Sequence, residues 1–214
     1  MKQSGQNSHR RTPSGPASAL WRGGRAMLAT LAFYVGVMGA GPLKLAQADS
    51  DMIFPMDERA ARYWRFVTDG VMGGVSRGGV QFASEDGLGF ARMTGDVSTA
   101  NNGGFIQIRA GINFAGMMDN GAGLTGLRLV TRGNGERYYI HIRTRSNQRP
   151  WHYYAAPFET GADWQQVEIP FASFQHSDGL RPATPSPQDM ISLGIVAYGR
   201  DHTADISVAE LAFY

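Results

Sequence analysis

In Tyr138-Tyr139-Ile140-His141-Ile142-Arg143-Thr144-Arg145 the set Tyr138, Ile140 and Ile142 alternates with Tyr139, His141, Arg143 and Arg145. In an extended chain successive side chains point to opposite faces, so this order gives one apolar and one polar face. Tyr138, Ile140 and Ile142 are assigned to a core, and Tyr139, His141, Arg143 and Arg145 to the opposite surface. Phe105 to Arg109 reads the same way, with Ile106 and Ile108 inward and Phe105, Gln107 and Arg109 outward. Val167, Ile169 and Phe171 alternate with Gln166 and Glu168.

Further short apolar runs recur between clusters of Gly, Asn, Asp and Pro, with no sustained helical periodicity. The predicted strands are Val80 to Ala83, Phe90 to Thr94, Phe105 to Arg109, Leu127 to Thr131, Tyr138 to Thr144, Trp151 to Ala156, Gln165 to Ile169, Ile191 to Tyr198 and Ile206 to Phe213. Strands at this spacing predict an all-β, two-sheet sandwich. Arg77-Gly78-Gly79, Asp86-Gly87, Asn102-Gly103-Gly104 and Gly133-Asn134-Gly135 supply turn residues that tolerate positive φ, and Gly133 to Gly135 is read as a hairpin tip. Asp57 to Tyr63 and Gln175 to Asp189 are assigned to helical or irregular structure. Pro182, Pro185 and Pro187 bar the second of these from a central strand.

The 214 residues hold 20 Lys and Arg against 18 Asp and Glu, a formal net charge of +2. Six of the basic residues (Lys2, Arg10, Arg11, Arg22, Arg25 and Lys44) and no carboxylate fall in residues 1–48. The remainder therefore carries 20 − 6 = 14 basic and 18 acidic residues, a net of −4. A phosphate backbone needs a positive field on the folded domain, so nucleic acid is not an expected partner. Without any cysteine the chain has no disulfides, thiolate nucleophiles or Cys-type zinc sites.

Ala26 to Gly41 is an uncharged, mostly apolar run preceded by Arg22 and Arg25 and followed by Ala46-Gln47-Ala48. That is the layout of a secretory signal peptide, and the run is shorter than the roughly 20 apolar residues a spanning helix needs. Residues 1–48 are assigned to the signal peptide, 49–63 to a lead-in segment and 64–214 to the sandwich. Export from a bacterial cytoplasm, to the periplasm or beyond, is favoured over a mitochondrial transit peptide because the leader carries a solid apolar block. Contact with a membrane is expected only through an uncleaved leader.

Trp64-Arg65-Phe66-Val67-Thr68-Asp69-Gly70-Val71-Met72-Gly73-Gly74-Val75-Ser76 is followed by Gly95-Asp96-Val97-Ser98 and Asn101-Asn102-Gly103-Gly104-Phe105. This succession resembles the complex I intermediate-associated protein family, the thirty-kilodalton assembly-factor class. Its specific parts are Asp-x-x-Met-Gly-Gly-x-Ser and the later Asn-Gly-Gly-Phe. Gly126 to Leu129, Arg137 to Tyr139, Tyr154 to Phe158 and Trp164 to Phe174 add weaker matches. The resemblance implies a galactose-binding-type jelly roll and a non-catalytic factor that holds a protein client, with unfolded-protein binding and respiratory-complex assembly as its role. An exported carbohydrate-binding module is the alternative.

Two sets of residues are candidates for binding. In the first, Asp69, Met72, Gly73, Gly74 and Ser76, with Asn102, Gly103 and Gly104, form either a glycine-fixed turn capped by polar side chains or a ligand loop at the end of the sandwich. In the second, Phe105, Gln107, Arg109, Tyr139, His141, Arg143, His152 and Tyr154 share one surface if their strands lie in one sheet, setting aromatic platforms beside planar donors. Trp151 and Trp164 are read as core or sheet-edge anchors. No catalytic set emerges: Gly70 to Gly79 lacks the P-loop lysine, no serine lies in a G-x-S-x-G elbow, and His141, His152, His176 and His202 show no zinc spacing. No cofactor is expected. A structural calcium ion stays open, with no Asp-x-Asp run to support it.

Overall fold

The computed structural model describes residues 52–114, 121–147, 149–179 and 184–214; the predicted signal peptide and part of the Gln175 to Asp189 loop lie outside them. Twelve strands are described: β1 Met52–Pro55, β2 Trp64–Thr68, β3 Arg77–Glu85, β4 Leu88–Val97, β5 Phe105–Gly111, β6 Gly126–Gly133, β7 Arg137–Thr144, β8 Tyr154–Glu159, β9 Gln165–Pro170, β10 Gln175–His176, β11 Met190–Tyr198 and β12 His202–Phe213. They form two six-stranded sheets, and every described pairing is antiparallel. The first has the order β3-β4-β12-β6-β9, with β1 also pairing with β12; the second has the order β10-β8-β7-β11-β5-β2. The chain is the all-β jelly-roll sandwich that the alternating strands and the resemblance imply.

Each sheet turns one face to a shared core. Tyr138, Ile140, Ile142, Ile106, Ile108 and Ile195 from the second sheet meet Met93, Leu127, Leu129, Ile206 and Phe213 from the first, and all of these are buried. Tyr138 keeps its hydroxyl satisfied inside: it donates to Asn134 Oδ1 at 2.8 Å and accepts from the Asp205 backbone N–H at 2.8 Å. The outer face of the first sheet carries a separate cluster of Phe90, Val130 and Ala209, covered by Trp164 with the Arg132 guanidinium 4.6 Å from its ring. Trp164 is thus the sheet anchor the sequence suggested.

Several local expectations are corrected. Gly133 to Gly135 is not a hairpin tip, because β6 belongs to the first sheet and β7 to the second. The segment crosses the core edge: Gly133 N–H bonds to the Gly161 carbonyl, and the Asn134 amide caps the Thr203 carbonyl. Arg77-Gly78-Gly79 is strand rather than turn, and Gly78 lies directly opposite Gly95. A Cβ on Gly95 would come within 2.7 Å of the Gly78 Cα, so this pair of backbones is too close for side chains. Asp86-Gly87 does form the β3–β4 hairpin, with both residues at positive φ. Asp57 begins only a single 3₁₀ turn, Ala60–Arg62, whose leading N–H groups its carboxylate accepts. The lead-in segment also contributes β1, so sheet structure starts before Trp64.

Candidate functional site

The glycine-rich stretch after β2 folds over one buried carboxylate. Asp69, fully buried, opens a 3₁₀ turn that ends at Gly73 with φ 90°. Its Oδ1 accepts the Ser76 N–H at 3.0 Å; its Oδ2 accepts the Ser76 hydroxyl at 2.5 Å, the Gly104 N–H at 2.5 Å and the Phe105 N–H at 3.3 Å. Ser76 in turn accepts the Ser98 N–H at 2.9 Å. Burial pulls the Asp69 pKa upward, and the hydrogen bonds from Ser76, Gly104 and Phe105 outweigh it, so the carboxyl is held below the usual carboxylate range. Gly74 and Gly103 flank the carboxylate so closely that a Cβ on either would strike it.

The two glycine-rich loops that carry the resemblance are therefore one structure, tied by Asp69 across 35 residues. Asp69 and Ser76 are inside it and face no solvent opening. Met72 and its neighbour Val71, by contrast, stand 63% and 75% exposed on its outer side.

That exposed lip borders a groove of about 480 Å³ on the outer face of the second sheet. The pairing register explains the floor. Gly194 of β11 lies opposite Arg109 of β5 on one side and His141 of β7 on the other. Since Gly194 has no side chain, the floor sinks between them, and Gln107, Ser192, Val196 and Tyr198 complete it. Asn102, Gly103, Gly104 and Phe105 close one end beside Val71 and Met72; Trp151 and Tyr153 form the facing wall.

Of the residues assigned to this face, Phe105, Gln107, Arg109, His141 and Arg143 do line the groove. Tyr139 lies on the same face but in a neighbouring hollow, packed against Tyr198 with ring centroids 4.4 Å apart. Tyr154 is a correction: it pairs opposite Ile142, whose side chain faces the core, and is itself 5% exposed. Strand β8 starts at Tyr154 and not at Trp151. The position opposite His141 is Ala155, so Tyr153, two residues earlier, is the tyrosine that reaches the groove. His152 is not among the lining residues and its ring lies 5.8 Å from that of buried His176. Trp151, read as an anchor, is 60% exposed on the groove wall.

The groove is aromatic and uncharged on one side. His141 stacks on Tyr153 with centroids 4.1 Å apart and planes 15° apart, and meets Tyr198 at 5.0 Å. Burial pushes the His141 imidazole down to about 3, so it is neutral at physiological pH. Burial, with the nearby Tyr153 and Tyr139, pushes Tyr198 up to about 12. On the other side Arg109 donates through Nε and Nη2 to Ser192 Oγ at 3.1 and 2.8 Å. Arg143 reaches back through Nη2 to the Asn147 and Arg149 carbonyls at 3.4 and 3.2 Å. Among the described residues no group of three His, Cys, Asp or Glu side chains converges as a metal centre would require. The arrangement can hold a ligand by stacking, apolar contact and planar donors.

A concave sheet face with an aromatic wall, a polar floor and an apolar lip, on a jelly-roll sandwich, defines the class as a binding-type domain. The family model of complex I intermediate-associated protein 30 (CIA30) matches residues 53–204, and the chain belongs to that family. A search of curated proteins found no match. Among solved structures the chain is similar to the family 11 carbohydrate-binding module of the cellulosomal cellulase Lic26A-Cel5E of Clostridium thermocellum. The two share 12% identity with a TM-score of 0.59, over 78% of this chain and 95% of that one. A second structure of a Clostridium thermocellum family 11 module, in complex with a β-1,3-1,4-mixed-linked tetrasaccharide, aligns at 12% identity and a TM-score of 0.57, over 76% and 94%. These likenesses establish a shared fold.

Proposed function

We propose that this protein is a non-catalytic assembly factor of the cell envelope whose groove on the second sheet receives a segment of a protein client during assembly of a respiratory complex. Membership of the CIA30 family supports the assembly role. The observation that carries the client reading is the apolar lip: Val71, Met72 and Trp151 stand exposed around the groove at 75%, 63% and 60%. Large apolar side chains clustered at the mouth of a cleft mark a surface that gains by covering another protein's apolar side chains. The export-type leader supports placing that encounter outside the cytoplasm.

A photo-crosslinking amino acid at Met72 or Trp151 tests this in intact cells. The expected product is a crosslink to a respiratory-complex subunit from both lip positions and none from Arg92, on the first sheet. Equal crosslinking from all three positions would refute the assignment. A second reading has its own observation: Trp151 and Tyr153 beside Gln107 and Arg109 set aromatic platforms next to planar donors, and a family 11 module of the same fold was solved with a β-1,3-1,4-mixed-linked tetrasaccharide. Calorimetric titration with that tetrasaccharide separates the two, since the client reading expects no saturable heat.

A further inference from the structure

Several arginines elsewhere on the domain find acids. Arg92 pairs with Asp205, Arg128 with Glu210, Arg132 with Glu85, Arg137 with Glu159, and Arg200 with Glu136. Arg109 and Arg143 do not: among the described residues their hydrogen bonds go to a serine hydroxyl and to backbone carbonyls, all neutral acceptors. Both are partly buried in the groove, and no Asp or Glu lines it. Asp69, beneath the nearby rim, has its carboxylate occupied by the N–H groups of Ser76, Gly104 and Phe105 and the Ser76 hydroxyl.

The register adds a third cation at the edge, since Arg65 of β2 lies directly opposite Arg109. Burial and the neighbouring Arg143 both work against the charge on Arg109. A domain whose net charge over residues 49–214 is −4 thus places uncompensated positive charge in this aromatic groove. Guanidinium groups match a carboxylate with paired N–H donors, and such bonds strengthen where water is excluded.

We infer that the groove floor is a carboxylate site, in which Arg109 and Arg143 receive an acidic side chain of the client segment while its apolar neighbours cover Val71, Met72 and Trp151. This rests on the client reading above. The carboxylate fixes the segment in register, and the lip contributes contact area without sequence demand. A client of this chemistry is an extended segment with one or two acidic residues between large apolar ones.

The test is calorimetric titration of the whole chain with a capped peptide of two Glu flanked by Leu and Phe, with its Gln counterpart, and with an oligogalacturonate beside its neutral galactan. The Glu peptide is expected to bind about tenfold tighter than the Gln peptide, the value of one added charge-assisted contact. Added salt should erode that preference, and Arg143→Gln should remove it. Because Arg143 also holds a turn, Gly194→Asp serves as a second variant: it puts an internal acid on the groove floor opposite Arg109 and should remove the preference with both arginines retained. Equal affinity for Glu and Gln peptides overturns the inference and leaves the client reading standing. Binding of oligogalacturonate alone, dependent on Arg143, sustains the carboxylate site and overturns the client reading. Silence from every acidic probe overturns the carboxylate site.

Discussion

Replacing Asp69 with alanine removes the acceptor that joins the loop after β2 to the loop before β5. The Ser76, Gly104 and Phe105 N–H groups and the Ser76 hydroxyl lose their shared partner in a region closed to solvent. Orphaning a buried donor costs about 1–3 kcal/mol; the three closest bonds, taken near the low end of that range, give ~3–6 kcal/mol. For a domain of this size that lowers the melting temperature by roughly 10–20 °C, a large part of a typical stability of about 5–15 kcal/mol. Asp69→Asn keeps the shape but turns an amide N–H₂ toward donors, and should fall between wild type and Asp69→Ala.

The pH dependence gives a second signature of the same group. The folded carboxyl lies below its ordinary 3.8, so its contribution is present above that value and is lost as pH falls through the folded pKa. The gap between wild type and Asp69→Asn in urea melts should therefore be constant from pH 7 to about 5 and shrink below pH 4. Urea denaturation followed by tryptophan fluorescence measures both. A change under about 1 kcal/mol for Asp69→Ala, or a gap that does not narrow in acid, would refute the account of this loop.

Other substitutions probe separate parts. Tyr138→Phe removes the hydroxyl that bonds Asn134 and the Asp205 N–H, and should cost about 1–3 kcal/mol in urea melts. Because burial pushes Tyr138 up to about 12, wild type should lose stability as pH rises from 10 toward 12, and the Phe variant should lose less. Gly95→Val forces a side chain between backbones at the β3–β4 pair, with an expected loss of about 1–3 kcal/mol and faster hydrogen exchange in β3. Trp151→Ala, on an exposed wall, should change stability by no more than about 0.5 kcal/mol while weakening client crosslinking from Met72.

The strands were legible where one face is dry and the other wet. Alternation placed Tyr138, Ile140, Ile142, Ile106 and Ile108 correctly because each has at least one strongly polar neighbour in the chain. It failed in β11, where Ser192 to Tyr198 is apolar on both faces and alternation assigns no side to Val196 or Tyr198. In β8 the error was one residue of parity: Tyr153 and Tyr154 are chemically alike, and the pairing of Tyr154 with Ile142 tells them apart. Counting back from buried Phe158, with Ala156 and Tyr154 on its face, is the signal that would have found Tyr153.

The Asp69 loop was legible as a motif but not as a link, since nothing local shows that residues 69 and 104 meet. Gly194 was silent for a different reason: its role is the absence of a side chain at the meeting point of three strands. The sheet-switching turn at Gly133 to Gly135 was misread because the same residues suit a hairpin and a crossover, and only the partners Gly161 and Asp205 distinguish them.

Gly194→Trp, expressed at the wild-type level, tests most directly whether the groove is the working surface. Its added side chain starts from a Cβ 2.9 Å from the movable Gln107 Oε1 and 3.5 Å from the Ile108 carbonyl, so it projects outward into the groove. The account predicts a folded protein that melts within a few degrees of wild type, with mature respiratory complex reduced and an assembly intermediate accumulating on native gels. Normal amounts of the mature complex, with the groove filled and the protein folded, would contradict it.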